Sequence, residues 1–557
     1  MADRIRRRIP SRETVRQRLT SVKAWELEVE PSSLAPRGAF SNADTDPTPK
    51  EKQTWKAYTL IFYWFSDILT IQGWESMATI IKIGLTYKEA LWCTLLGDFL
   101  IAIPVVLNGH IGTRLRVPFP IQARSSFGFH AAKGVVCIRI ATALFWHALQ
   151  TYSGSQVMAQ VLTAIWPSFG RMPNHIPASQ DIDSKTLVAH LLFWLLQLPF
   201  VLIPPHKMTW FFYTKAALMI ATSLGIVGYL VHRAGTSGEI FNQRPTVDGS
   251  ERAWLTVYML FQTVCGWATM ATNIADVSRY VKSPRHQIVQ AASLPLVGLY
   301  IGAMGMLACS ASRVVYGAFI WSPAELFTHW QATRAGRAAV VFAGLSFCLA
   351  QIGINMSANI VSLSNDLAGL FPRYLNIRRG ALLGTLAGGW IMVPWKISGS
   401  APQLVTFVSA LAIFLAPISA ILIADYFVVK RRAVDVPALY DPEGRYAYWR
   451  GANPRAVAAL LVAVAPNLPG LAHDVSPGLR IGGAVYVYYL NYAVGFGVAA
   501  AVYVALNVVF PARESLVPRT VYAYDDASAE EGGEGSGGEE RGEKGASEVR
   551  TRPDVLP

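Results

Sequence analysis

Trp146 and Gln150 stand four residues apart, which places them on one face of a helix, about one turn from each other. An indole with a carboxamide beneath it suits a flat, polar-edged ring. The indole stacks on the ring face, and the amide supplies both a donor and an acceptor to a paired N–H and C=O. The same two residue types also pack helices together in membranes, so the pair by itself leaves both readings open. Asn355 and Asn359 repeat the four-residue spacing in a second apolar stretch. Amides at bilayer depth either satisfy one another between helices or reach into a wet cavity. Asp67, Glu75, Asp98 and Lys215 sit in apolar surroundings where charge is costly, which marks them for function. Lys215, near a helix start, has the alternative of snorkelling to the surface. Glu75 is the group expected to carry a proton along with a solute, and Asp276 and Arg279, three apart, are expected to form a structural or gating ion pair. No nucleophile beside a base, metal-ligand spacing or phosphate loop accompanies them, so no catalytic or metal site is expected.

The elements that position these residues are long apolar segments, two of which carry related motifs. Gly73-Trp74-Glu75-Ser76-Met77-Ala78-Thr79 and Gly266-Trp267-Ala268-Thr269-Met270-Ala271-Thr272 share Gly-Trp-x-x-Met-Ala-Thr, each with its glycine at mid-span. Interrupted spans at corresponding places in two halves expose backbone groups that can hold a solute or an ion. The helices are therefore predicted to unwind at Gly73 and Gly266.

Composition agrees with a membrane protein: 52% of the 557 residues are hydrophobic and only 15% are charged. A net charge of +13 would point a soluble chain toward nucleic acid, but here the basic residues collect in short loops, so topology explains them and no nucleic-acid partner is expected. About twelve segments are long enough to cross a bilayer. They fall near 57–83, 90–109, 131–164, 187–204, 209–232, 253–280, 288–320, 338–365, 380–399, 401–428, 454–472 and 485–510. Arg114 and Arg116, Lys207, Lys282 and Arg285, Arg373 and Arg378, and Lys430 to Arg432 mark the connections after even-numbered spans, which places them and both termini on the cytoplasmic side. The expected organisation is a basic tail over 1–54, a transmembrane domain over 55–511, and an acidic tail over 512–557 that is disordered from about Asp525 onward. Trafficking or ubiquitination factors are possible partners of the tails. The five cysteines all lie in apolar segments, so neither a disulfide framework nor a metal cluster is indicated.

From Trp55 to about Pro511 the chain resembles the nucleobase:cation symporter family one, especially its fungal branch of uracil, allantoin and uridine permeases. The resemblance rests on Asn108-Gly109, Pro118-Phe119-Pro120-Ile121-Gln122-Ala123-Arg124-Ser125-Ser126-Phe127-Gly128, Ile165-Trp166-Pro167-Ser168, Asn273-Ile274-Ala275-Asp276, Phe371-Pro372-Arg373-Tyr374, Gly389-Trp390 and Ala465-Pro466-Asn467-Leu468-Pro469-Gly470, in order along the chain. It implies an all-α integral membrane fold of the LeuT type, with two inverted five-helix repeats, two further helices, and the first and sixth helices broken. It further implies a substrate ring held by Trp146, Gln150 and Asn359, with Gly266 and Trp267 at the sixth-helix break and Gln72 at the first. Members that use sodium bind it with backbone oxygens, here Ile68 and Ile71, an eighth-helix carbonyl, here Ala350, and two hydroxyl side chains. This sequence has Gly353 and Ile354 at the hydroxyl positions, and a hard cation needs several oxygens. A co-transported proton is therefore expected in preference to sodium. The implied activity is proton-coupled import of a nucleobase-like heterocycle such as uracil or allantoin across the plasma membrane, with no cofactor. The alternatives are a thiamine or nicotinamide riboside carrier and a membrane sensor that binds the same solute without moving it.

Overall fold

The computed structural model describes residues 16–17, 20–26, 32–35, 41–397 and 401–523. The acidic stretch from Asp525 onward lies outside the described residues, as does the arginine-rich start through residue 15. Among the described residues there is no β-strand, and nine helices are long and apolar enough to cross a membrane: 87–115, 131–165, 178–201, 209–234, 284–316, 334–370, 406–429, 454–475 and 491–509. The remaining three of the expected spans are the first, sixth and ninth, and each is interrupted.

The first span consists of α1 (Ala57–Ile68) and α2 (Ile71–Lys82). Its break falls at Leu69 and Thr70, three residues before the glycine expected to cause it. Thr70 is the reason: its hydroxyl accepts the Gly73 N–H at 3.1 Å and caps α2. Gly73 has a different task, because a β-carbon there would lie 2.1 Å from the Ile68 carbonyl oxygen. The sixth span breaks where expected. Its first half, α3 (Gly249–Gly266), ends at Gly266, Trp267 leaves helical geometry at φ −107° and ψ 6°, and α4 (Ala268–Asn273) follows. In the ninth span, Pro394 excludes its predecessor from the helix, and Val393 sits at φ 49°.

The third span is the unbroken α5 (Ala131–Ile165). It packs along the eighth, in which α6 (Arg334–Ile354) passes through one π-helical stretch, Asn355–Ile360, into α7 (Val361–Leu370). Such wide turns occur mostly at functional sites. The molecule is inverted relative to a soluble protein: Phe342 and Leu296 are 78% and 60% exposed on outer helix faces, whereas Lys215, Gln351 and Asp67 are fully buried.

On the α1 side of the break the bundle is sealed. Trp55 packs at 5.6–6.3 Å from the rings of Phe212, Tyr63 and Tyr280, and its backbone pairs with Tyr280 and Lys282. The segment before it is stitched to the same end: Gln53 donates to the Arg279 and Val281 carbonyls, and Asn42 to those of Pro372 and Leu375.

Candidate solute-binding site

A cavity of about 270 Å³ opens at the two breaks and runs along α2 and α3, away from the sealed end, to Thr79, Ile80, Thr94 and Met259. Trp146, Gln150, Asn359, Gly266, Trp267 and Gln72 all line it, and so do Ile68 and Glu75. Residues separated by up to 291 positions, Ile68 to Asn359, thus converge because the breaks bring α1, α2, α3 and α4 beside α5 and the π-helical stretch.

Each aromatic wall is held from behind. Trp267 meets Trp64 edge to face, with centroids 5.5 Å apart, and the Trp64 indole donates to Gln290 at 3.0 Å. The Trp267 indole bonds the Asp98 carboxylate, which leans on Gly298. Trp146 rests edge to face on Phe145, itself stacked on Phe407 at 3.8 Å. Half-buried rings on a rigid backing can accept a flat solute at little entropic cost.

The amides form two chains. Gln351 sits at the centre of the first, donating to Gln72 at 2.9 Å and to Gln150 at 2.7 Å while its oxygen accepts the Ile71 N–H at 3.2 Å. The nitrogen of Gln72 donates to the Ser153 hydroxyl at 2.8 Å, so both ends of its amide are engaged within the protein. In the second chain Asn359 donates to Asn355 at 2.9 Å, and Asn355 donates to Thr151 at 3.0 Å and Gln197 at 3.1 Å. The Asn355–Asn359 spacing therefore serves both readings left open by the sequence: Asn355 is fully buried and Asn359 reaches the cavity. Gln351, Thr151 and Gln197 were not singled out by spacing arguments. Gln351 completes a Gln351-Asn355-Asn359 ladder at four-residue steps, which was a usable signal; Gln197 was legible only as an amide in an apolar span.

Three acids, Asp67, Glu75 and Asp98, line the cavity, and its described lining has no lysine or arginine. Glu75 meets the Ser322 hydroxyl, and Asp98 keeps one buried carboxylate oxygen without a partner. Lys215 does not snorkel. It is fully buried, and its ammonium donates to the Ser66 carbonyl at the end of α1. There it faces Asp67, which accepts from Ser357, and its Nζ lies 2.9 Å from the point a Gly353 β-carbon would occupy. Only a glycine leaves room for it. Ala350 and Ile71 are buried behind the cavity wall, and the Ile68 carbonyl accepts the Thr70 N–H at 2.8 Å.

The expected Asp276–Arg279 ion pair does not form. Asp276 accepts the Phe119 N–H at 3.0 Å, and Arg279 donates to Tyr280 at 2.9 Å and Asn365 at 3.3 Å. The chain turns between them after a helix of only four residues, Ala275–Ser278, so the two side chains diverge. A buried ion pair close to Asp276 is instead Arg139–Asp366, at 2.5 Å between the third and eighth spans.

Comparison with known proteins agrees with this architecture. The chain is 34% identical to an uncharacterized permease of Schizosaccharomyces pombe, each covered over 86% of its length. It is 33% identical to the allantoin permease of Saccharomyces cerevisiae and 31% identical to the uracil permease of that yeast, over 84% of this chain and 76% of each relative. Among solved structures it superposes with a TM-score of 0.70, at 20% identity, on a nucleobase-cation-symport-1 family transporter in a closed conformation with bromovinylhydantoin bound. That match covers 85% of this chain and 97% of the other, and it shows the fold, an all-α transporter of the LeuT type. Residues 47–495 match the family of permeases for cytosine/purines, uracil, thiamine and allantoin. The chain belongs to that family, the nucleobase:cation symporter family one, in its fungal uracil, allantoin and uridine permease branch, and is a multi-pass membrane transporter of small heterocyclic solutes rather than an enzyme.

Proposed function

We propose that the protein is a proton-coupled importer of an uncharged lactam-type heterocycle, such as uracil or allantoin, working by alternating access in the plasma membrane with both termini in the cytoplasm. The observation that carries this reading is the convergence of Trp146, Trp267, Gln150 and Asn359 on one cavity at the double helix break. Its described lining runs from the breaks away from the end sealed by Trp55 and Tyr280, which supports reading this as an outward-facing state. The two rings contribute stacking, and the amides contribute orientation, since a buried polar group left unpaired costs about 1–3 kcal/mol.

Lys215 supports proton rather than sodium coupling. Its side-chain nitrogen occupies the space opened by Gly353, beside the Ser66 carbonyl and Asp67, so a lysine amine stands where a sodium ion would need a hydroxyl ligand. Asp67, Glu75 and Asp98, all on the cavity wall, are the groups available to carry a proton. A second reading, transport of a cationic ring such as thiamine, is favoured by the unpartnered Asp98 oxygen together with the acidic lining.

Uptake of radiolabelled uracil, allantoin and thiamine in a permease-deficient host tests both readings. The expected result is accumulation of a lactam solute that survives replacement of sodium by choline and collapses with a protonophore. Sodium dependence, or accumulation of thiamine alone, would overturn the first reading. Binding without accumulation would indicate a sensor.

A further inference from the structure

The two amides that face the cavity are polarised by groups behind them, and the direction of each is set by the backbone. The Ile71 N–H can only donate, so the Gln351 oxygen that meets it at 3.2 Å is the acceptor end of that amide. Gln351 therefore turns its NH2 toward Gln150, whose oxygen accepts at 2.7 Å. With its oxygen committed, Gln150 has its nitrogen left for the cavity. The opposite sign holds on the other chain. The Thr151 hydroxyl donates to the His147 backbone carbonyl at 2.7 Å, so its oxygen accepts from Asn355, whose NH2 is thereby fixed. The Asn355 oxygen then accepts the Asn359 NH2 at 2.9 Å, which leaves the Asn359 oxygen for the cavity. Gln351 and Asn355 are both fully excluded from solvent, so an amide turned the wrong way would leave buried groups facing like groups.

We propose that Gln351 and Asn355 are positioning residues that fix the polarity of the solute site: Gln150 offers the cavity only a donor and Asn359 only an acceptor, so the site selects rings that carry an acceptor beside a donor. A lactam or imide edge has that pattern. A ring whose N–H is methylated lacks the donor, and one whose carbonyl is replaced by an exocyclic imine, protonated at neutral pH as an amidinium, carries N–H donors at both positions and lacks the acceptor. This rests on the reading of the cavity as a lactam transporter site, and it adds residues that touch no solute.

The test compares a labelled lactam solute with two competitors, its N-methyl analogue and its imine analogue, in the wild type and in Gln351→Glu. The wild type is expected to bind each competitor at least about tenfold more weakly than the parent ring, the effect of one mispaired group. A glutamate at 351 still accepts the Ile71 N–H but cannot donate, so Gln150 turns its NH2 inward and its oxygen to the cavity. The imine analogue should then overtake the parent at unchanged surface abundance. A merely structural role would weaken all three ligands together and leave their order intact, and that result would overturn the proposal. Gln150→Glu, which keeps the Gln351 contact while turning the cavity-facing donor into an acceptor, should show the same reversal if Gln351→Glu fails to reach the membrane. Should neither variant reach it, a wild-type carrier that tolerates N-methylation within about twofold would overturn the proposal. A wild type that takes up no lactam solute overturns the functional reading as well, whereas uptake with an unchanged order in the variants overturns the polarity assignment alone.

Discussion

The two Gly-Trp breaks look like copies and behave as opposites. At the first, Gly73 packs against the Ile68 carbonyl and Trp74 is buried edge to face on Phe347 at 5.8 Å, so glycine and tryptophan both serve the scaffold. At the second, a β-carbon on Gly266 would meet nothing within 4 Å, and Trp267 lines the cavity. The first break is also pinned by Lys215, whose ammonium holds the Ser66 carbonyl at the end of α1. The same residue pair thus supports a hinge in one half of the molecule and a recognition surface in the other. Which role it takes depends on what packs behind it.

The contrast is breakable by paired substitutions. Trp74→Ala should have the largest effect, removing about 3–5 kcal/mol of packing, and should be read as a fall in melting temperature of the purified carrier and in surface abundance. Lys215→Met leaves Asp67 buried without its countercharge and should cost about 3 kcal/mol or more, measured the same way, with loss of protonophore-sensitive accumulation. Gly73→Ala must displace the Ile68 carbonyl, at a cost of about 1–3 kcal/mol, and should lower uptake together with stability. Trp267→Ala should raise KM about tenfold or more, the scale of one lost ring stack, and lower the melting temperature less than Trp74→Ala does, because the half-buried ring also gives up its contacts with Trp64 and Asp98. Gly266→Ala should change least, shifting KM by about threefold or less with stability unchanged or slightly raised, since alanine favours helix by about 1 kcal/mol over glycine. If Trp74→Ala and Trp267→Ala affected uptake and stability alike, the division between hinge and recognition surface would fail.

Much of this site was legible in the sequence because membrane helices leave few places for polar side chains. Trp146 and Gln150 one turn apart, and Asn355 and Asn359 one turn apart, had to share helix faces; Trp146, Gln150 and Asn359 line one cavity, with Asn355 bonded behind Asn359. Less legible was the engagement of each amide. Gln72 was expected to hold solute, yet its amide is satisfied by Gln351 and Ser153. Asp276 and Arg279 were expected to pair from spacing alone, but that rule applies to a continuous helix, and the helix ends at Ser278. The break before Gly73 was displaced for a similar local reason, because a threonine N-cap that starts a new helix sets a break as effectively as a glycine.

By itself the sequence determined that the chain crosses a bilayer about twelve times, that its first and sixth spans are interrupted, and that aromatic and amide side chains lie near the breaks. These follow from hydrophobicity and helical periodicity, which are properties of neighbours along the chain. Tertiary structure alone decided that Lys215 enters the space beside Gly353, that Trp74 is buried while Trp267 is presented, and that Gln351 joins the first break to Gln150. Each of these depends on which residue from a distant span fills the adjoining space. In a close-packed, water-poor interior that neighbour fixes both the volume left to a side chain and the direction of its hydrogen bonds.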